Sequence, residues 1–558
     1  MEPRPSQSLH GGQRALPERE QANTAAQQAA ERRAREILAD ADLARLLTAP
    51  REVREIERAR QIFVNRNLRM ANVELVGFDM DYTLAIYHMR RIEQLSFDMT
   101  LARLVSERGY PREIGSIQYD HSFVMRGLVV DKPNGNLIKM DRFGHVGRAY
   151  HGLRPLEDEV RRRLYRNERI RLKNPQYAWI DTLFALPEAC LYTRIIDHLD
   201  GRGLEVDYVK LYDDIRECID TVHRDNSLKL EIKKDIGRYI FKDPELGPAL
   251  HKLRSGGKKL FLLTNSLWDY TDVVMGYLLD GVVPEYPAWR NYFDHVVTGA
   301  SKPAFFNELR PFQELDLATG AVARELPDGA NLERGKVYQG GNLPAFQKAT
   351  GFAADRVLYV GDHIYGDILR SKKTSQWRTC MVVQEIEDEI NYTDGRHETI
   401  SALSEMELLL ARLDDEVAAR KTRLNVLERK LDKNGAGGEA RAAMEEERKR
   451  LKGELERLRR AYKESSGLIE ALEEEVEAGF NGYWGLLFKE GNENSRFGEQ
   501  VEQYACIYTS RVSNFLHYSP MQYYRSPRDL MPHERAGALS GKLSPLGSEG
   551  PPRGWRKG

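Results

Sequence analysis

Apolar residues follow two regimes along the chain: short, nearly continuous runs between residues 73 and 383, and a recurrence at every third or fourth position beyond Ser404. The run Val73-Glu74-Leu75-Val76-Gly77-Phe78 predicts a buried strand that ends in the acidic turn Asp79-Met80-Asp81. Runs at 259–264, 292–298, 357–361 and 379–383 predict further strands, with helix-like segments between several of them. Such alternation implies a parallel sheet covered on both faces, whose ligands bind beyond the carboxyl ends of the strands. About 180 residues separate the first strand from the second, far more than a link within a compact domain, so an inserted domain is expected there. It contains a hairpin, 127–130 with 136–139, around Pro133-Asn134-Gly135, because Asn-Gly favours the positive φ of a tight turn. Helices follow at 186–199 and 212–239. Residues 31–72 mix charged and apolar positions at helical spacing.

In the second regime Leu410, Leu413, Val417, Leu424, Leu427 and Leu431 fit heptad positions, interrupted by Arg420. After Asn434-Gly435-Ala436-Gly437-Gly438 the pattern resumes at Met444, Leu451, Leu455, Leu458, Tyr462, Ile469, Leu472 and Val476. Two heptad runs around a glycine-rich turn predict an antiparallel helical hairpin, roughly 45 Å or more long. It is either a solvated arm or a surface for self-association. Residues 480–535, rich in Tyr and Phe, are expected to pack back on the body. The resulting division is a disordered lead at 1–30, a core at 31–100 and 246–403, a cap at 101–245, the hairpin at 404–478, a helical segment at 479–535 and a disordered tail at 536–558.

Composition narrows the class. The chain has 558 residues, 84 Lys+Arg against 85 Asp+Glu and 41% apolar residues, enough for several packed cores. A formal net charge of -1 supplies no overall field for nucleic acid or an anionic membrane, so neither is expected as a partner. No apolar run approaches the roughly 18 to 20 residues of a membrane span, and MEPRPSQSLH lacks a signal peptide's apolar stretch, so a cytoplasmic location is expected. The four cysteines are too scattered for metal or redox pairs and read as reduced, buried residues.

The candidate chemistry sits at strand ends. Asp79 and Asp81, two residues apart, are either a solvated turn or a pair that divides labour, one attacking phosphorus while the other donates and then removes a proton. Thr264-Asn265-Ser266 places hydroxyls and backbone N–H groups where they suit phosphate oxygens, although either hydroxyl also suits a helix cap. Lys302 supplies a cation, and Gly361-Asp362-His363-Ile364-Tyr365-Gly366-Asp367 two more carboxylates, of which Asp362 is placed to join Asp79 on Mg²⁺. His363 has no thiolate or second histidine at metal-ligand spacing and is taken as a structural neighbour.

These four pieces resemble the four motifs of the haloacid dehalogenase superfamily. Gly77-Phe78-Asp79-Met80-Asp81-Tyr82-Thr83-Leu84, Leu263-Thr264-Asn265-Ser266, Lys302-Pro303 with Phe305-Phe306, and residues 359–369 are similar to the cytosolic purine 5′-nucleotidases, a likeness that covers roughly 60–400 and returns at 518–534. The resemblance implies an α/β fold, a haloacid dehalogenase-like Rossmannoid parallel sheet with a large inserted cap domain and a C-terminal helical hairpin. It implies that Asp79 is the nucleophile, Asp81 the acid and base, and that the Asp79 and Asp362 carboxylates with the Asp81 carbonyl hold Mg²⁺. Thr264, Asn265, Ser266 and Lys302 would bind phosphate, with Asp367 orienting Lys302. Arg216, Asp220 and Lys229 match positions that contact the nucleotide in that family. Arg216 and Asp220 are four apart, so an ordinary helical ion pair fits them as well.

The function expected is a Mg²⁺-dependent 5′-nucleotidase hydrolysing purine (IMP/GMP-type) nucleoside 5′-monophosphates through an aspartyl-phosphate intermediate, and the resemblance makes a homo-oligomer the expected state. Alternatives are a nucleoside phosphotransferase using the same intermediate and a coiled-coil scaffold with a vestigial catalytic domain. The latter predicts a missing charge among the motifs, and none is missing. An allosteric nucleotide site of eukaryotic members involves the segment that here reads Arg370-Ser371-Lys372-Lys373, which fits a solvated basic helix end equally well.

Overall fold

Leu75–Phe78 is buried at all four positions, as a strand sandwiched between two layers must be. A computed structural model describes residues 32–33, 56–168, 170–171, 173–327, 329–369, 375–432 and 437–527. The expected lead at 1–30, the tail at 536–558 and the basic segment at 370–373 lie outside them. Met1–Ile56 separates from the rest as a unit of its own, and the second unit, Glu57–Gly558, carries the sheet, the insertion and the hairpin.

Ten strands form the central sheet: β1 Phe63–Val64, β2 Leu75–Phe78, β3 Lys259–Leu263, β4 His295–Thr298, β5 Phe312–Leu315, β6 Val322–Glu325, β7 Val337–Gly340, β8 Val357–Gly361, β9 Arg378–Val382 and β10 Ile507–Thr509. Their order is β1-β10-β9-β8-β2-β3-β4-β7-β5-β6. From β10 to β7 every neighbouring pair is parallel, while β1, β5 and β6 close the edges antiparallel. The expected α/β fold with a largely parallel central sheet is therefore present. β2 lies between β3 and β8, so three loops converge at the carboxyl ends of adjacent parallel strands. Gly77 permits this packing: a Cβ there would lie 2.0 Å from the Phe261 ring of β3.

The inserted segment is tied to the core by a neck, Ile86–Tyr87 paired antiparallel with Ile240–Phe241. This corrects the expected cap limits of 101–245, because the insertion's first helix, α1 Met89–Glu107, already belongs to it. The expected hairpin forms as Leu128–Asp131 with Asn136–Met140, inside a five-stranded antiparallel sheet. The helices that follow are α2 Leu186–Asp200, α3 Tyr208–Arg224 and α4 Ser227–Lys234.

Residues 57–72, whose spacing predicts a helix, instead form short 3₁₀ turns at Arg58–Arg60 and Met70–Asn72 and two short strands. Phe63 pairs with Tyr508 and Leu68 with Tyr524, so distant strand partners override the local periodicity. The segment expected to be helical after residue 479 is likewise mixed: helix Arg496–Tyr504 is followed by β10, which completes the central sheet. Its aromatic residues are what attach it. Trp484 is fully buried and donates its indole N–H to the carbonyl of Phe123. Lys139 is 2% exposed, and its ammonium reaches the carbonyls of Trp484, Leu486 and Lys489 at 2.6, 2.7 and 2.6 Å, an acceptor for each of its three protons.

Two long helices, α5 His397–Asp432 and α6 Gly438–Phe480, form the antiparallel hairpin. Leu427, Leu431 and Leu451 are buried between them, and Arg423–Glu447 at 2.8 Å and Lys452–Glu428 at 3.3 Å flank that seam. Arg420, the break in the apolar series, pairs with Glu454 at 3.3 Å, so the interruption is an ion pair across the seam. At the hairpin root a cavity of about 880 Å³ is lined by Ile386, Ile400, Leu403, Val476, Phe488 and the carboxylate of Glu389, among others. Burial holds Glu389 up to about 7 even though it accepts the Leu487 N–H at 2.6 Å. A carboxyl whose folded value lies above its unfolded value costs stability that appears as pH rises through the window from about 4.5 to 7. Glu389→Gln, which keeps an acceptor for Leu487, is therefore expected to raise the denaturation midpoint at pH 8 and to change it much less at pH 5. Equal shifts at both pH values would refute this account.

Candidate active site

Asp79 follows β2 directly, and its own N–H donates to the Val360 carbonyl of β8 at 2.9 Å, which fixes the first acidic loop against the last. Lys302, in the loop after β4, sits at the centre of the cluster. Its ammonium lies 2.9 Å from Asp79 Oδ1, 2.7 Å from Asp367 Oδ1 and 2.9 Å from the Tyr359 hydroxyl. Side-chain exposure is 3% for Lys302 and 2% for Asp367 but 13% for Asp79, so of the three only the Asp79 carboxylate is open to an incoming group. Burial alone would lower the lysine, but Asp367 and Asp79 on either side raise it well above its ordinary value, and it stays charged. Burial likewise pushes Asp79 well above the usual carboxylate range despite the opposing pull of Lys302.

Asp362 directly follows β8 and is buried, with Thr83 Oγ1 donating to it at 3.4 Å. Burial, reinforced by Asp367, raises it to about 7. Oxygens of Asp79, Asp362 and Asp367 lie within 4.8 Å of one another, and among the described residues they are the one group of three or more acidic, histidine or cysteine side chains so placed. An all-oxygen set containing a buried carboxylate with so distant a donor fits a hard divalent cation. Asp367 is already committed to Lys302, which leaves Asp79 and Asp362 as the side chains that suit the ion. Gly361 makes room for Asp367: a Cβ there would lie 2.6 Å from the Asp367 Cβ.

The Asp81 carboxylate is held by two hydroxyls. Tyr87 donates to its Oδ1 at 2.6 Å and Ser266 to its Oδ2 at 2.7 Å. Ser266, expected to cradle phosphate, thus directs its hydroxyl to Asp81 instead, while Thr264 Oγ1 accepts the Ser266 N–H at 3.1 Å. Both ends of the Asn265 amide are likewise occupied, accepting the Lys302 N–H at 2.5 Å and donating to the Lys302 carbonyl at 3.0 Å. That side chain holds the Lys302 loop in register. His363 faces Asp181 at 3.3 Å; burial opposes its charge, but Asp181 raises it to about 9, as suits a structural neighbour that stays protonated.

From the cap, α3 supplies Arg216 and Asp220, 3.5 Å apart. The ion pair suggested by their spacing exists, yet Arg216 also reaches buried Glu188 at 2.7 Å and both partners stay about half exposed. Lys229 on α4 lies 5.2 Å from the centre of the Tyr270 ring, whose hydroxyl is 2.8 Å from that of Tyr87. A line of contacts thus runs from the cap to Asp81. His223, edge-on to Phe184 at 5.4 Å, has a buried Nε2 with no hydrogen bond among the described residues. Burial first, then Lys229, lowers it to about 4, and it also feels Asp220, Arg216 and Asp81. No motif spacing marks Tyr87, Tyr270, Phe184 or His223 in the sequence; only the fold brings them beside Asp81.

No helix among the described residues is long and apolar enough to cross a membrane. The profile of the 5′ nucleotidase family matches residues 62–536. The chain is 31% identical over 478 residues to a 5′-nucleotidase domain-containing protein of Dictyostelium discoideum, covering 85% of this chain and 74% of that one. It is 35% identical over 357 residues to 5′-nucleotidase domain-containing protein 2 of Rattus norvegicus and of Homo sapiens, covering 61% of this chain and 62% and 66% of theirs. Among solved structures it is similar to a 2-haloacid dehalogenase from Pseudomonas syringae, 15% identical with a TM-score of 0.19, over 56% of this chain and 86% of that one. With the family profile spanning the acidic loops, the cap, the hairpin and the closing strand of the sheet, the chain belongs to the 5′ nucleotidase family of phosphoric monoester hydrolases.

Proposed function

We propose that this protein is a Mg²⁺-dependent 5′-nucleotidase that removes phosphate from purine nucleoside 5′-monophosphates of the IMP and GMP type through an aspartyl-phosphate on Asp79. The observation that supports it most is the partly exposed Asp79 carboxylate beside buried Lys302 and Asp362 at the carboxyl ends of parallel strands of one sheet. Oδ1 of Asp79 accepts the Met80 N–H at 2.7 Å and faces Lys302, which leaves Oδ2 to attack phosphorus in line with the leaving oxygen. As the Asp79–phosphorus bond forms, the phosphorus–O5′ bond breaks and Asp81 gives its proton to O5′. Asp81 then takes a proton from water, whose oxygen attacks phosphorus and frees the Asp79 carboxylate. The Tyr87 and Ser266 hydroxyls hold Asp81 in either protonation state, because each can rotate between donating and accepting. Lys302 stabilises the charge that develops on the phosphoryl oxygens, and Asp367 with Tyr359 keeps its ammonium in place. Mg²⁺, held by the Asp79 and Asp362 carboxylates and the Asp81 carbonyl, would supply further charge neutralisation.

Thr264, Asn265 and Ser266 are assigned to the phosphoryl group: the Thr264 hydroxyl keeps its own proton to donate while it accepts the Ser266 N–H, and Asn265 also holds the Lys302 loop in register. Arg216, Asp220 and Lys229 are assigned to the nucleoside, with Asp220 favouring a 6-oxopurine, whose ring N1 carries hydrogen, over adenine, whose N1 accepts. Asp220→Ala is expected to lower kcat/KM for IMP and GMP by about 10-fold or more while leaving AMP nearly unchanged. An unaltered preference among the three would remove Asp220 from base recognition. Four buried free thiols fit a reducing cytoplasm, and a homo-oligomer is part of the same reading.

The test is phosphate release from mononucleotides, sugar phosphates and a phosphopeptide, with and without Mg²⁺. Metal-dependent release confined to IMP and GMP is the expected outcome; release from the phosphopeptide alone would overturn it. Added inosine that captures the phosphoryl group in place of water would move the reading to a phosphotransferase.

A further inference from the structure

Arg126, just ahead of the cap hairpin, is 1% exposed. A guanidinium so buried must direct its donors at fixed acceptors, because leaving one unpaired is costly. Nε and Nη2 grip the two oxygens of Glu385 at 2.7 and 2.6 Å, a bidentate contact that sets the plane of the group. That leaves Nη1, which donates to the backbone carbonyl of Asp362 at 2.9 Å. Beside Glu385, the Gln384 amide donates to the carbonyl of Tyr82 at 3.0 Å, a residue held at φ +55°. The turn after β9 therefore grips both acidic loops, the first through Gln384 and the last through Glu385 and Arg126. The Phe497 ring, 5.1 Å from the guanidinium, covers the remaining face.

We propose that Arg126 is a positioning residue: by holding the Asp362 carbonyl it fixes the direction of the Asp362 carboxylate toward Asp79, and so the geometry offered to the divalent cation. The inference rests on the reaction proposed above. A backbone carbonyl leaving a strand has no ladder partner of its own, and the acid beside it is free to turn unless that carbonyl is held.

The experiment compares wild type with Arg126→Lys, which keeps the charge but loses the fork, and with Arg126→Met/Glu385→Met, which removes both charges so that neither is left unpaired. Two quantities are read: the shift of the thermal unfolding midpoint on adding Mg²⁺ without substrate, and kcat and KM for IMP across a Mg²⁺ titration. Both variants are expected to unfold in one transition, to need about 10- to 100-fold more Mg²⁺ for half their shift and half their rate, and to keep KM for IMP at saturating Mg²⁺ within about twofold. A role in packing alone would lower the midpoint without moving the Mg²⁺ requirement, and that result would overturn the proposal. If the wild type hydrolyses no nucleotide, the proposed function fails while the Mg²⁺-induced shift still decides the role of Arg126; a wild type with no such shift overturns both.

Discussion

Asp79→Asn is expected to lower phosphate release on the order of 10⁴-fold or more with the fold intact. The amide has no charged oxygen to attack phosphorus, and what remains is the catalysis that binding and charge stabilisation provide without a nucleophile. Stability should not suffer. Burial keeps the Asp79 carboxyl above its ordinary range, so the folded protein bears a cost that grows as pH rises past the unfolded value of 3.8, and a neutral amide removes it. Lys302 meanwhile retains Asp367 at 2.7 Å. Stopped-flow phosphate release, mass spectrometry of a quenched reaction and a melting curve check the three parts. Turnover within tenfold of wild type would take the nucleophile's role from Asp79, and a lower melting point would show that its carboxylate holds the loop.

Lys302→Met should fail on both counts, losing activity and stability together. Among the described residues the ammonium lies against both Asp79 and Asp367, and it also reaches Tyr359. Removing it leaves buried carboxylates that repel one another without the ammonium that now lies between them, a loss of about 3–5 kcal/mol for breaking a buried pair. In the proposed reaction the phosphoryl group also loses the ammonium assigned to it, for which a further 10²- to 10³-fold in kcat is expected. Folding stability should recover in part at low pH, because protonating Asp79 and Asp362 relieves the repulsion: both have folded values raised above their unfolded ones, so protons bind the folded state more tightly. Denaturant unfolding from pH 5 to 8 measures this. A variant as stable as wild type at pH 8 would mean that the charges are relieved in another way.

The contrast between the two substitutions follows from what each residue touches. Asp79 is the most exposed of the three groups joined at Lys302, so in the proposed reaction it is expected to be replaceable structurally and indispensable chemically. Lys302 is enclosed by partners and is expected to serve both purposes.

Much of the arrangement was legible from the sequence because it is local. A run such as Leu75-Val76-Gly77-Phe78 is strand wherever both faces are covered, and the residues that follow it must lie at the sheet's carboxyl edge. Four such edges place Asp79, Thr264, Lys302 and Asp362 near one another on pattern alone. The heptads gave the helical hairpin for the same reason, a period matched by the residues themselves. Where a partner lies far along the chain, local pattern misleads. Residues 57–72 carry a helical spacing yet form strand at Phe63–Val64, because Ile507 and Tyr508 stand ready to pair with them. The direction of the side chains was equally out of reach: Ser266 turns to Asp81 and Asn265 to the Lys302 backbone, choices that depend on which groups lie within 3 Å after folding. The sequence by itself determined which chemistry the loops carry. Only the tertiary structure decided which oxygens stay free to use it, because burial and hydrogen bonding act on groups that are remote in the chain and adjacent in space.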